Sequence, residues 1–206
     1  MKHLFITGTD TGIGKTITSA WLCKHWQADY WKPVQSGLDE QTDSQWVTAL
    51  SGATVHPETH RLQAPLSPHQ SAELDGVKIQ LTDFSLPNHV DRLVVEGAGG
   101  VLVPLNWRHT MLDLMQHLGL CALLVARSGL GTINHTCLSL QALKAAQVPV
   151  LGVVMVGDPN PANREAIEHF GEVPVLAELP RFTELTREAL LQVPMPERLR
   201  NALNSV

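Results

Sequence analysis

An apolar run, Phe5-Ile6-Thr7, breaks into small residues at Gly8-Thr9-Asp10-Thr11-Gly12-Ile13 and ends in Gly14-Lys15-Thr16 at the head of a helical pattern. Strand, glycine turn and helix in that order make a βα unit, and the turn is built for phosphate. Small residues let backbone N–H groups curl around a triphosphate, and the helix N-terminus adds partial positive charge. Lys15 reaches the β/γ oxygens, and the Thr16 hydroxyl can ligate Mg²⁺. A ligand-free glycine turn has no reason to place a lysine and a hydroxyl directly after its last glycine. The spacing departs from the usual G-x-x-x-x-G-K-[ST] pattern, because Thr9 stands five residues before Gly14 and the nearest upstream glycine is Gly8. The loop is a variant, and a nucleotide is the expected ligand.

The rest of the chain repeats the alternation. Continuous apolar runs at residues 3–7, 29–34, 92–96, 121–126, 150–156 and 173–179 suit strands of a parallel sheet covered on both faces. Helical patterns lie between them. Residues 15–26 carry Ile17, Ala20 and Trp21; Thr110 can cap a helix with Met111, Leu114, Met115 and Leu118 on one face. Residues 132–146 repeat Ile133, Cys137, Leu140 and Leu143, and Pro196 opens a last helix with Leu199, Ala202 and Leu203. This order predicts a doubly wound α/β fold, a P-loop domain over residues 1–206 with a mostly parallel sheet and helices on both faces. Residues 51–89 lack sustained periodicity and contain Pro57, Pro65, Pro68 and Pro87; they read as an ordered substrate loop or an unrecognised helix.

The 206 residues suffice to bury roughly 70% of the unfolded surface without a staple. With 15 basic and 20 acidic residues and no basic block, neither nucleic acid nor an anionic membrane is expected as partner. The chain starts on a strand pattern and has no membrane-spanning apolar run, so a cytoplasmic location is expected. Cys23, Cys121 and Cys137 lack C-x-x-C spacing and read as reduced core residues. His56 and His60 lack a third ligand and read as solvated surface.

Further segments sharpen the reading. Trp31-Lys32-Pro33-Val34-Gln35-Ser36-Gly37 puts an ammonium at the carboxyl edge of the sheet, where ligands of open α/β sheets bind. Arg92-Leu93-Val94-Val95-Glu96-Gly97-Ala98-Gly99-Gly100 ends a buried strand in a carboxylate suited to Mg²⁺, followed by glycines that let backbone approach phosphate. Asp43 is either a second metal carboxylate or the cap of the helix that follows. Gly129-Leu130-Gly131-Thr132-Ile133-Asn134-His135 enters a helix whose start can receive a second anion.

These segments, with Ser67-Pro68-His69 and Pro104-Leu105, together resemble the dethiobiotin synthetase family, in order from residue 3 to about residue 157. The resemblance implies an ATP-dependent ring closure in biotin synthesis by a homodimer. A carbamate forms from 7,8-diaminopelargonate and CO₂ or bicarbonate, attacks the γ-phosphoryl of MgATP, and the second amine closes the ureido ring. It places Lys32, Lys15 and Thr11 in catalysis. Gly12, Ile13, Gly14, Lys15, Thr16, Ile17, Asp43, Glu96, Gly97, Ala98 and Gly99 would meet the nucleotide, joined by Pro180, Arg181 and Phe182 at the base. Mg²⁺ would rest on Thr16, Asp43 and Glu96. Ser36, Thr11, Gly100, Val101, Pro104 and Asn134 would meet the substrate, with the residue 100–104 segment supplied by the partner subunit.

The resemblance weakens beyond Gly152. Family members carry an Asn-Asp pair that reads adenine where this chain has Val156-Gly157, and Pro180-Arg181-Phe182 matches only at its proline. Relaxed nucleotide selectivity is therefore expected. Gly12 replaces a glutamate found in some members. Two other functions share the loop: a partition-type ATPase switch, which carries a lysine where Thr9 stands, and an amidating ligase, which needs a glutaminase partner domain.

Overall fold

The structure, a computed structural model, describes residues 2–205. In chain order the elements are β1 (Lys2–Gly8), α1 (Lys15–Trp26), β2 (Asp29–Trp31), β3 (Val34–Ser36), α2 (Asp43–Ser51), β4 (Val55–His56), β5 (His60–Leu62) and α3 (Pro68–Leu74). They continue with β6 (Arg92–Glu96), α4 (Met111–Leu118), β7 (Cys121–Arg127), α5 (Thr132–Ala145), β8 (Val150–Val156), α6 (Pro161–Gly171), β9 (Val175–Leu179), α7 (Arg187–Leu191) and α8 (Glu197–Asn204). Seven strands form one parallel sheet in the order β4-β2-β6-β1-β7-β8-β9, as the alternating pattern predicts.

Strand side chains alternate between the two faces, so the core splits in two. Leu4, Ile6, Tyr30, Val94, Leu123 and Val125 pack under Trp21 and Leu22 of α1, Val47 and Leu50 of α2, Leu190 of α7 and Leu199 of α8. Phe5, Trp31, Leu93, Val95 and Leu124 pack on the other face against Met111 and Leu114 of α4, Leu143 of α5 and Ile167 of α6. Among the described residues no helix is long and apolar enough to cross a membrane.

Two expectations need correction. The run 29–34 is not one strand. Pro33 has no N–H to give the ladder and restricts Lys32 before it, so the chain leaves the main sheet after Trp31. Val34–Ser36 instead pairs in parallel with His60–Leu62 in a separate two-stranded ribbon. His56 and His60 are likewise not solvated: they are half-buried on β4 and β5, each with Nε2 2.9 Å from a carboxylate, of Asp29 and Asp83 respectively.

The stretch 51–89 holds β4, β5, α3 and a 3₁₀ turn at Leu81–Asp83. Helix α6, not foreseen, starts where the Asn160 side chain accepts from the Asn163 N–H and Pro161 fills the first turn.

Candidate functional site

Strands β2, β6 and β1 lie side by side, so three chain segments meet at their carboxyl ends: Lys32 just past β2, Glu96 at the end of β6, and the glycine loop after β1. Gly12 and Gly14 take φ of 70° and 101°, a left-handed region that favours glycine. A Cβ on Gly14 would stand 3.0 Å from Val156 Cγ1, so the loop backbone runs directly against β8. Ile13 turns inward, and its Cδ1 occupies the space a Cβ on Gly8 would need. The variant spacing thus has a packing reason: the glycine at position 8 makes room for the one apolar side chain of the loop.

Lys15 is buried, and its Nζ donates to the Asp10 carbonyl at 2.8 Å. Burial first, and the nearby Lys32 charge second, pull its pKa down to about 8 against the opposing pull of Glu96, Asp43 and Asp10. Thr16 Oγ1 lies 2.6 Å from Asp43 Oδ1 and 2.9 Å from Glu96 Oε1. Asp43 is the first residue of α2. The cap is Thr42, which forms a capping box with Gln45, so the Asp43 carboxylate is free to face the loop.

Lys32, 4% exposed, donates to Asp43 Oδ2 at 2.7 Å, Glu96 Oε1 at 3.2 Å and the Gly97 carbonyl at 3.0 Å. Burial lowers the Lys32 pKa, but the Glu96 and Asp43 charges outweigh it and hold the pKa above the ordinary lysine value. For Asp43 the same balance runs the other way: burial pushes its pKa up, the Lys32 ammonium outweighs that, and the carboxyl stays below its usual range. Tyr30, fully buried, donates its hydroxyl to Glu96 Oε2 at 2.9 Å. Burial, reinforced by the Glu96 charge, pushes the phenol pKa well above 10, so it stays a donor.

No group of three His, Cys, Asp or Glu side chains placed to hold a metal occurs among the described residues. What the loop gathers instead is a hydroxyl and two carboxylates, a hard-oxygen set that fits Mg²⁺ rather than a thiophilic ion.

These groups border a cavity of about 790 Å³. Thr11, Gly12, Gly14, Lys15, Thr16, Ile17, Lys32, Ser36, Asp43, Glu96, Ala98 and Gly99, all singled out from the sequence, line it together. The Ser36 hydroxyl is buried and has no partner within the described residues. Sequence reasoning missed Gln35, Trp46, Leu50, Pro65, Gln70 and Leu185 on the same walls. Gln35 had a signal, being a polar residue on an apolar strand; its Oε1 accepts the Asp43 N–H at 3.1 Å.

Other expected residues lie elsewhere. Gly100, Val101 and Pro104 border a second cavity of about 360 Å³ with Asp10, Leu138 and Ser139, and Thr11 lines both. Gly97 borders neither cavity, and a Cβ there would stand 2.8 Å from the Phe5 ring. Asn134 is exposed on the first turn of α5 and borders neither cavity. Pro180 and Arg181 are exposed beyond β9, and Phe182 packs on the α1-side core.

A family model described as an AAA domain matches residues 2–189. The ATP-dependent dethiobiotin synthetase BioD of Paramagnetospirillum magneticum is 52% identical over 198 residues, spanning 95% of this chain and 96% of that one. The protein of the same name from Brucella ovis is 50% identical over 192 residues, spanning 92% and 91%. The biotin biosynthesis bifunctional protein BioCD of Bordetella avium is 52% identical over 193 residues, 92% of this chain but 42% of that longer one. Among solved structures, the cell division ATPase MinD of Pyrococcus furiosus superposes with a TM-score of 0.61 at 17% identity, covering 98% of this chain and 96% of that one. That likeness is one of fold.

Proposed function

The chain belongs to the ATP-dependent dethiobiotin synthetase family, and from that membership we propose that it closes the ureido ring of dethiobiotin from 7,8-diaminopelargonate, CO₂ and ATP. One amine takes up CO₂ and loses a proton to give a carbamate. A carbamate oxygen attacks the γ-phosphorus, the bond to the β-phosphate oxygen breaks, and ADP leaves. The second amine then attacks the carbonyl carbon of the mixed anhydride and expels phosphate.

The observation that carries this reading is a buried lysine, Lys32, held between Asp43 and Glu96 at the mouth of a phosphate-binding loop and on the wall of a cavity large enough for two ligands. Bringing a carbamate to a triphosphate opposes two anions, and each charge pair at about 4 Å is worth ~4 kcal/mol at an effective dielectric near 20. Lys15 and Lys32 supply the neutralising charge. Thr16, Asp43 and Glu96 would hold Mg²⁺, which, when bound, adds Lewis-acid charge to the phosphates. The orphaned Ser36 hydroxyl is suited to hydrogen-bond the carbamate, and Thr11 does the same from the loop.

The second cavity supports a homodimeric arrangement. Gly100, Val101 and Pro104 border this cavity and not the main one, beside exposed Leu102 and Leu138, 60% and 56% accessible. Residues there, and Asn134, would serve a substrate held by another copy of the chain. A partition-type switch is disfavoured by Thr9, which offers no ammonium at the loop entrance.

The test is phosphate release from MgATP and bicarbonate with and without 7,8-diaminopelargonate, with mass spectrometry of the product. Diamine-dependent release and a product carrying the added carbonyl are expected. Release that ignores the diamine would overturn the reading in favour of a switch.

A further inference from the structure

Tyr30 stands outside the cavity lining, yet it is bonded to the group at the centre of the site. Its hydroxyl meets Glu96 Oε2 at 2.9 Å, whereas Oε1 of the same carboxylate faces Thr16 Oγ1 at 2.9 Å and Lys32 Nζ at 3.2 Å. The placement follows from register. Tyr30 pairs with Val94 across β2 and β6, and side chains alternate, so Tyr30, Val94 and Glu96 project from the face that lies under α1, and Lys32, just past β2, reaches the same carboxylate.

Packing alone asks only for the ring. Phenylalanine would fill the same apolar space, while a buried hydroxyl needs a partner to offset its desolvation. A carboxylate can exchange its two oxygens by rotation about its last bond, and either could then face the loop, or both together. A bond at Oε2 removes that freedom.

We propose that Tyr30 is a positioning residue for the reaction, holding Glu96 by Oε2 so that Oε1 alone is offered to Thr16, Lys32 and the divalent cation. This rests on the reading of Thr16, Asp43 and Glu96 as cation donors. Preorganising a donor in this way acts on cation binding before any chemistry occurs.

The test is Tyr30→Phe, alone and combined with Glu96→Gln. Binding of Mn²⁺ in the presence of ADP, which does not turn over, is read by electron paramagnetic resonance at a temperature well below each variant's melting point. Tyr30→Phe is expected to weaken Mn²⁺ about 10- to 100-fold. The Mg²⁺ concentration for half-maximal turnover should rise by the same factor, and kcat at saturating Mg²⁺ should stay within about threefold. In the Glu96→Gln background the same change should add nothing. Mn²⁺ affinity within twofold of wild type, or an equal loss in both backgrounds, would overturn the proposal. If Glu96→Gln itself leaves Mn²⁺ binding intact, the donor-set reading falls as well; a normal loss there with an indifferent Tyr30→Phe overturns the proposal alone.

A second measurement leaves the tyrosine in place. Tyr30 is the one tyrosine in the chain, so growth on 3-fluorotyrosine labels it uniquely. Its fluorine resonance should shift when Mg²⁺ and ADP are added to the wild type and stay fixed in Glu96→Gln. A resonance unmoved in the wild type would overturn the proposal.

Discussion

Lys32 Nζ lies 2.7 Å from Asp43 Oδ2, a contact between residues on different segments that depends on Thr42, not Asp43, capping α2. With the buried Glu96 on its other side, Lys32 neutralises one of two negative charges at the cavity wall. The carboxylates therefore retain a net negative charge toward the loop, and Lys32 and Asp43 each favour the charged form of the other.

Removing the lysine should therefore have two separable effects. Lys32→Ala leaves the buried Glu96 and the half-buried Asp43 without their counter-charge, and unfolding in urea should show a loss of about 3–5 kcal/mol, the usual consequence of breaking a buried ion pair from one side. In assays kcat should fall by roughly 10²–10⁴, the range for losing an electrostatic stabiliser of a transferring group. A fall of less than about tenfold with ATP affinity intact would exclude Lys32 from the mechanism.

Lys15 should couple nucleotide binding to protons. Its pKa of about 8 in the folded chain, against 10.5 ordinarily, means that burial disfavours the charged form. Between those values the folded chain holds fewer protons than the unfolded one, so this residue's contribution to stability rises with pH across that window; below pH 8 its penalty is fully present. Phosphates favour the charged form. Binding ADP at pH 8 should thus take up roughly half a proton, and little at pH 6.5. Calorimetry in buffers of different ionisation enthalpy measures this directly, and Lys15→Gln should abolish it.

Where the sequence was legible, a local rule coincided with the tertiary outcome. The strands 92–96 and 150–156 read correctly because each is buried on both faces and bounded by proline, glycine or polar residues. The 29–34 run misled because apolar continuity says nothing about hydrogen bonding, and Pro33 ended the ladder inside it. Trp46, Gln70 and Leu185 escaped notice for a different reason. Each is brought to the cavity by a long-range contact that no spacing encodes, Leu185 by the connection from β9 to α7, the helix that packs on α2. Tyr30 belongs with them: its role depends on register with β6, more than sixty residues away.

Gly14→Ala should disable the loop for two reasons that a double variant separates. The backbone at φ 101° penalises any Cβ by about 1–2 kcal/mol, and the new methyl would press Val156 Cγ1 at 3.0 Å. Trimming the neighbour in Gly14→Ala/Val156→Ala should relieve the contact but not the dihedral cost. Partial recovery of ADP affinity is expected, measured by calorimetry. Full recovery would mean that sterics alone fix the glycine.

The same strand end bears on base selectivity. Val156 directs its methyls at Gly14, and Gly157 has φ 131° with a hypothetical Cβ that would collide with Ser128 Oγ. Position 156 is therefore committed to supporting the loop, and position 157 has neither the space nor the backbone conformation for a side chain. No asparagine-type amide can read a base from these two residues, and such amides are what discriminate the Watson–Crick edges. Turnover with GTP and CTP should therefore lie within about a hundredfold of that with ATP, a difference below ~2.7 kcal/mol in transition-state binding. The measurement is kcat/KM for the three nucleotides at fixed Mg²⁺ and diamine. A stronger preference for ATP would require another reader, and Arg181 and Glu184, on the exposed connection after β9, are the polar side chains to replace first.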